Sequence, residues 1–432
     1  MKTLESYCTQ IIDASIETVK PSVLIPKSVR INESNLFIAD SVFDLSTIQN
    51  IYIIGAGKAS GFMAYEIEKI LRSKITQGVV SVYDASDIKL AKIKLIEAGH
   101  PLPNRNSLIA GEEIFKLASS AVENDLVITL ISGGGSALME LLPDGILLND
   151  YRKLTDLLLQ SGADITEINI VRKSISKIKG GKLGKAIHPA KSITLIISDV
   201  VEDNLESIAS GPTFINDKEN RDARTVLHKY NLFDKIPYSI KKYFGELSDD
   251  NKLSHPQIEN QFIFIIGNNL TALNAAKEKA EQLGFDSKIV NDKLVGEARS
   301  AGKEIANHLK NNLNVDKPTC LIFGGETTVT IKGNGLGGRN QELVLASLIE
   351  IKEVNKNFII ASVGTDGRDG PTDAAGAFIN EQTWKKALEL NLNPQKFLEE
   401  NNSYYFFKSL GTLIKTGTTG TNVMDIQVGL LM

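Results

Sequence analysis

Cysteine is nearly absent: the 432-residue chain holds two, Cys8 and Cys320. They lie far apart in separate hydrophobic stretches, which excludes a disulfide framework and suits a reducing compartment. Histidine is also scarce, with five in all (His100, His188, His228, His255 and His308). None falls in an H-E-x-x-H pattern or another clustered ligand spacing, which speaks against a zinc site. No G-x-S-x-G elbow is present, so a serine hydrolase of that type is not indicated. No apolar run reaches the roughly 18 residues that would suggest a membrane span. The opening "MKTLESYCTQIIDASIETVK" lacks the continuous apolar core of a secretory signal. Its rhythm of Leu4, Ile11, Ile12, Ile16 and Val19 predicts an amphipathic helix instead. Excess positive charge is missing too: Lys and Arg total 48 against 52 Asp and Glu, a net charge of −4. A nucleic-acid binder would show a basic stripe or patch. The reading at this level is a cytoplasmic protein with neither nucleic acid nor membrane as partner.

What the chain does contain is length and a repeated pattern. Its length predicts two domains. Short apolar runs such as "IYIIGAG", "GVVSVYD", "LVITLISGGG" and "SITLIISDV" alternate with amphipathic segments, the signature of βαβ units. The polar stretch "KYFGELSDDNKLSHPQIENQ" then separates them from a second series, "QFIFIIGNN", "PTCLIFGGETTVTI" and "NFIIASVGTDG". Three signals recur in one order: a strand meeting a glycine (Gly55, Gly267), a glycine cluster with hydroxyls (132–136, 324–328), and a hydroxyl-Asp pair followed by Gly-Pro-Thr (Ser198-Asp199, Thr365-Asp366). The expectation is an α/β protein of two Rossmann-like domains with mostly parallel sheets facing a central cleft. The domains would span 1–242 and 262–432, joined by a linker at 243–261. Ligands of open α/β sheets bind outside the carboxyl ends of the strands.

The motifs at those strand ends suit anions. "GAGKAS" fails as a Rossmann fingerprint because Ser60 stands where a third glycine belongs, and it fails as a Walker A loop because Ala59 follows the lysine. The physics remains: glycines bare the backbone N–H groups, a helix start favours anions, and Lys58 adds a point charge. In "LISGGGSALM", Gly133, Gly134 and Gly135 leave a main chain able to curl into an anion nest beside the Ser132 and Ser136 hydroxyls. "NIVRKSISKIKGGKLGKAIHP" is a localised basic element in an acidic protein, with Arg172 expected to face inward after its apolar run. "GNGLGGRNQELVLAS" sets Arg339 at a helix start, downstream of Gly324 and Gly325, where a guanidinium can fork onto phosphate or carboxylate oxygens. Asp199 and Asp366 at strand ends could hold Mg²⁺ or accept a substrate proton.

Taken together, "GAGKAS", "GHPLPN", "LISGGGSALM", "NIVRKSISKIKGGKLG", "ISDVVEDNLESIASGPT", "GGETTVTIKGNGLGGRNQE" and "SVGTDGRDGPTDAAGA" resemble the glycerate 2-kinases of the MOFRL family. The ending "GTLIKTGTTGTNVMDIQVGLL" looks like that family's C-terminus. The resemblance runs from about Ile51 to the last residues, in the family's order. It implies ATP-dependent phosphorylation of D-glycerate to 2-phosphoglycerate with Mg²⁺, in a cleft between two α/β domains, by a monomer or homodimer. It also implies that Lys58 is the catalytic lysine and Arg339 the arginine of the site. The nest and Ser136 would then hold glycerate carboxylate or nucleotide phosphate, Arg172 would orient the carboxylate, and which aspartate serves metal or proton stays open. Members of this family have also been described as hydroxypyruvate reductases. The missing third glycine and the lack of an acidic residue at a ribose-binding strand end argue against that chemistry. A non-catalytic anion-binding protein would leave the pairing of Lys58 and Arg339 unexplained.

Overall fold

The structure is a computed structural model that describes residues 3–216, 222–246, 260–314 and 317–432. Most of the expected linker, 247–259, lies outside the described residues. The chain divides into two compact units, one of Leu24–Ile266 and one of the residues up to Val23 together with Gly267–Met432. The N-terminal helix Leu4–Thr18 forms as its apolar rhythm predicts, burying Cys8, Ile11, Ile12 and Ile16. It belongs to the unit of the C-terminal residues and packs on the helix Asn269–Gln282, and just past that helix Tyr7 meets Phe285 edge to face at 5.6 Å. The first 23 residues therefore pack with the later unit rather than with the domain that the sequence reading assigned to 1–242.

The 24–266 unit is built on a six-stranded sheet in the spatial order 93–97, 75–82, 51–56, 126–132, 191–197, 261–267. The first five strands are mutually parallel. Numbered along the chain from Ile51, that is the order 3-2-1-4-5-6 of a doubly wound fold. The strand Leu126–Ser132 is buried at every position, as expected for a strand covered on both faces. The order reverses between Ile51–Ala56 and Leu126–Ser132, and both strands deliver their carboxyl ends to the same edge, with Ala56 in register with Ile131. This is the topological switch point where such folds bind ligands. The sixth strand, Gln261–Gly267, is one that the sequence reading placed at the head of the second domain.

The other unit departs from the expected mostly parallel sheet. Its strands follow the order 286–297, 319–328, 425–431, 358–364, 376–380, 413–414, and only the first neighbouring pair is parallel. Two features cause this. The segment 365–375 is too short to carry a crossover helix, so Gly376–Asn380 returns antiparallel beside Phe358–Gly364. The last strand, Asp425–Leu431, inserts antiparallel between Thr319–Thr328 and Phe358–Gly364, which would otherwise be parallel neighbours. The repeated order of glycine signals thus does not reflect repeated winding: Gly267 ends a strand of the first sheet, and Gly324 and Gly325 lie inside a strand rather than after one. Around the second sheet, Leu321, Phe323, Leu343, Ile360, Phe406 and Leu431 belong to one buried apolar cluster.

Because Asp425–Leu431 bonds to a strand on each side and is buried throughout, the sheet depends on it. Truncation after Met424 is expected to abolish cooperative unfolding of the 267–432 unit, read by calorimetry and limited proteolysis. A truncated chain with the full-length melting profile would contradict this.

Candidate active site

At the switch point, two loops are locked together by their main chains. The Lys58 N–H donates to the Gly133 carbonyl at 2.9 Å, and the Ala59 N–H donates to Ser132 Oγ at 2.9 Å. Ser60 Oγ reaches the Leu130 carbonyl at 3.1 Å and lies 3.2 Å from Ser132 Oγ. Gly57 makes the approach possible. It sits at φ +154°, and a Cβ there would come within 2.0 Å of Ser132 Oγ and 2.6 Å of the Ser132 carbonyl oxygen. Gly134 is left-handed at φ +82°, and a Cβ on it would meet His100 at 2.9 Å and the Lys58 side chain at 3.4 Å. Lys58 and His100 therefore flank the glycine turn. The N–H groups of Gly133, Gly134 and Gly135 donate to no acceptor among the described residues. The local sequence suits this, since the helix Ser60–Leu71 begins directly after the lysine-bearing turn and buries Met63, Ala64 and Ile67.

Beside the nest stands a hydroxyl and guanidinium cluster. Ser136 Oγ lies 2.9 Å from Ser210 Oγ and accepts from Arg172 Nη2 at 2.8 Å. Arg172 Nε donates to the Tyr151 hydroxyl at 3.2 Å, and Ser210 Oγ donates to Asn169 Oδ1 at 3.3 Å. Ala209 and Ser210 have positive φ, at 50° and 61°, a costly conformation for residues with a side chain. Such strain persists only where the surroundings impose it, and it concentrates at functional sites. Among the described residues no carboxylate forms an ion pair with Arg172. Burial, reinforced by the charge of Glu140, pushes the Tyr151 hydroxyl well above its ordinary pKa, so it stays protonated.

Several other cations of the basic run around Arg172 are used internally. Lys179 is buried against Glu140 at 2.5 Å, Lys173 pairs with Glu206 at 3.5 Å and Lys177 with Asp144 at 3.0 Å. Lys182 donates to the carbonyls of Lys173 and Ser176 at 2.7 and 2.5 Å, closing the end of the helix Ile165–Ser174. Glu140 also accepts from Ser176 Oγ at 2.6 Å. Burial, partly offset by Glu140, pulls Lys179 down to about 8.

Arg339 begins the helix Arg339–Ile351 in the other unit, as its motif predicts. Its Nε and Nη2 fork onto Asp425 at 2.6 and 2.9 Å, and Nη1 meets Glu326 at 2.6 Å. Asp369 accepts the N–H groups of Asn340 and Gln341 at 2.9 and 2.8 Å, capping that helix from outside it. Burial lifts the Asp369 carboxyl to about 6 despite those two donors, with the Asp425 charge adding to the rise and Arg339 opposing it. Asp366 is half-buried and accepts the Arg368 N–H at 3.0 Å. A Cβ on Gly364 would lie 3.3 Å from Asp366 Oδ1 and 3.5 Å from Asp425 Oδ1, so both carboxylates border the same glycine. Gly324 and Gly325 serve packing: a Cβ on the first would strike Asn269 Oδ1 at 2.0 Å, and on the second the Leu294 carbonyl at 2.3 Å. Asp199 lies two residues past the strand Lys191–Ile197, whose Ile197 is in register with Ser132.

The structure therefore brings together Lys58, Ser132, Gly133, Gly134, Gly135, Ser136 and Arg172 in one unit, and groups Arg339 with Asp366 in the other. Sequence reasoning missed Tyr151, Ser210, Glu326, Asp369 and Asp425. Ser210 was within reach, since it precedes the noticed Gly-Pro-Thr. Asp425 lies within the quoted C-terminal stretch and opens a strand, but no glycine turn or hydroxyl-Asp pair marks it.

An α/β unit with a cationic glycine turn at its switch point has the architecture of a protein that binds anionic ligands. Residues 7–245 match the domain of unknown function DUF4147, and residues 319–425 match the MOFRL family. A glycerate 2-kinase of Pyrococcus horikoshii is 40% identical over 98% of this chain and 96% of its own. A D-glycerate 2-kinase of Thermotoga maritima is 38% identical over 100% of this chain and 99% of its own. The crystal structure of a glycerate kinase from Thermotoga maritima superposes with a TM-score of 0.87 at 37% identity, covering 99% of each chain. A putative hydroxypyruvate reductase of Agrobacterium vitis is 36% identical over 88% of this chain and 86% of its own. The chain belongs to the glycerate 2-kinase family, with a MOFRL domain in its C-terminal part.

Glu140 and Lys179 supply a stability test. Replacing either partner alone, as Glu140→Gln or Lys179→Met, is expected to cost about 3–5 kcal/mol, because it strands a buried charge. The double variant should cost clearly less than the sum. Lys179 has a folded pKa near 8, below the 10.5 of the free side chain, so between those values the unfolded chain binds the extra proton. Stability should accordingly rise from pH 8 toward 10.5 in the wild type relative to the double variant. Additive single losses and parallel pH curves in denaturant titrations would contradict the assignment.

Proposed function

We propose that this chain transfers the γ-phosphoryl group of ATP to the 2-hydroxyl of D-glycerate, giving ADP and 2-phosphoglycerate. One observation supports the reading: at the switch point of a 3-2-1-4-5-6 sheet, in a chain of this family, the Lys58 side chain borders Gly134, and two residues on, Ser136 accepts from Arg172, groups we read as an anion-binding set. The hydroxyl oxygen of glycerate bonds to the γ-phosphorus as the bond to the β,γ-bridging oxygen breaks, and the hydroxyl proton leaves to a base. Lys58 stabilises the charge on the transferring group, and Arg339 is assigned the same duty. Positioning and electrostatics provide most of the catalysis in phosphoryl transfer. Arg172 and Ser136 hold the glycerate carboxylate: the guanidinium donates Nε and Nη2 to the Tyr151 and Ser136 hydroxyls, which leaves further N–H donors to give. Asp199 and Asp366 are the candidates for proton acceptance and for Mg²⁺.

The donor set fits Mg²⁺ of one kind. Among the described residues no group of three or more His, Cys, Asp or Glu could cage an ion. Mg²⁺ is commonly held by one or two carboxylates together with waters and substrate phosphates, and single aspartates such as Asp199 and Asp366 are suited to that. When bound, the ion would neutralise phosphate charge; the residues named above orient the acceptor and take its proton. The reductase alternative lacks a matching arrangement, since the turn after Gly57 carries Ser60 in place of a third glycine and its hydroxyl is bonded inward to Leu130.

The test is a pair of assays, one with ATP, Mg²⁺ and D-glycerate and product identification, the other with hydroxypyruvate and NADH or NADPH. The expected result is 2-phosphoglycerate with no nicotinamide oxidation; the converse would overturn the kinase reading. In the same assay Arg172→Ala should raise KM for D-glycerate by about 10–100-fold, the loss of a charge-assisted contact. An unchanged KM for D-glycerate would remove Arg172 from carboxylate binding.

A further inference from the structure

Two carboxylates hold Arg339, and they differ in kind. Asp425 is fully buried and takes the guanidinium side-on, through Nε and Nη2. It opens the inserted strand Asp425–Leu431, in register with Gly325 on one flank and Gly364 on the other, so hydrogen bonds of two neighbouring strands set its place. Asp369 fixes the other end of the arrangement by capping the first turn of the helix that carries Arg339. Asn340 adds a contact to the sheet, where its Oδ1 accepts from Ser362 Oγ at 2.5 Å. Glu326, by contrast, has a side chain 42% exposed and meets the outer Nη1 end-on. A fork onto a buried carboxylate has fixed geometry. An end-on pair with a partly exposed carboxylate is held more loosely, because water can replace either partner.

We propose that Asp425 is the positioning residue that sets Arg339 for turnover, and that Glu326 is a placeholder counter-ion which an anionic substrate displaces from Nη1. The proposal rests on the reading of Arg339 as a group of the phosphoryl transfer. The two contacts then act on different kinetic constants. Losing the fork leaves the charge but frees its direction, which lowers kcat. Losing the placeholder removes a competitor for phosphate or carboxylate oxygens, which lowers KM.

The experiment compares wild type, Asp425→Asn, Glu326→Gln, Arg339→Lys and the double variant Asp425→Asn/Arg339→Lys, with 2-phosphoglycerate formation and thermal melting measured for each. Asp425→Asn is expected to lower kcat by about 10²-fold, the scale of a misplacement near 1 Å. Arg339→Lys keeps the charge but cannot fork, and should lose kcat on a similar scale. In the double variant, Asp425→Asn should then take away no more than a further twofold. Glu326→Gln should lower KM for ATP or D-glycerate severalfold. Equal fold losses from Asp425→Asn in both backgrounds would overturn the positioning role. A raised KM in Glu326→Gln would overturn the placeholder role. If Asp425→Asn fails to melt cooperatively, Arg339→Lys decides alone, since near-normal kcat there would show that the fork is not needed. A wild type that makes no 2-phosphoglycerate would refute the kinase reading itself, whereas turnover with an additive cycle would refute only this inference.

Discussion

The close approach of two strand ends governs the glycine turn of the first unit. Strands 51–56 and 126–132 are neighbours at the point where the winding reverses, so their following turns must share one small space. Gly57 admits the Ser132 hydroxyl and main chain where any side chain would collide. With that gap closed, the Lys58 main chain bonds to Gly133 and its side chain lies along Gly134. A lysine on a mobile loop would lose rotamer and backbone freedom on each binding event. Here the scaffold has already fixed the backbone that carries it.

The two units treat their cations differently. In the first, hydroxyls and bare N–H groups surround the glycine turn, and Arg172 bonds to Ser136 and Tyr151 rather than to acids. In the second, Arg339 is set among Asp425, Glu326 and, through the helix start, Asp369. The first arrangement leaves Arg172 in hydrogen bonds to neutral hydroxyls. The second orients one cation strongly and lowers the net positive charge around it. Burial raises both Asp425 and Asp369 above ordinary carboxylates, with Arg339 opposing the rise at each, so that corner of the unit is mutually dependent.

Legibility in the sequence followed the range of the interactions. The strand-to-glycine-turn motifs are local, so Lys58, the 133–135 glycines and the helix start at Arg339 could be read directly. The parallel first sheet was legible because its strands are continuous apolar runs separated by amphipathic segments. The second sheet was not, because the insertion of 425–431 between two earlier strands is a long-range pairing with no local signature. The similar glycine clusters misled for the same reason: Gly133–Gly135 follow a strand and turn against Lys58 and His100, while Gly324 and Gly325 sit within one and make room for Asn269 and Leu294. The basic run misled because charge alone does not reveal partners. Glu140 lies 39 residues from Lys179 in sequence, and only the fold shows that the pair is buried.

Lys58 at the locked turn is the central claim, and the kcat of Lys58→Ala tests it most directly. By comparison with the roughly 10³–10⁵-fold contribution of a cation in other phosphoryl-transfer enzymes, kcat for 2-phosphoglycerate formation should fall by about 10³-fold or more. The melting temperature should stay near that of the wild type, because the bonds that close the turn use the main chain of residue 58. Near-normal turnover in a folded Lys58→Ala enzyme would contradict the account.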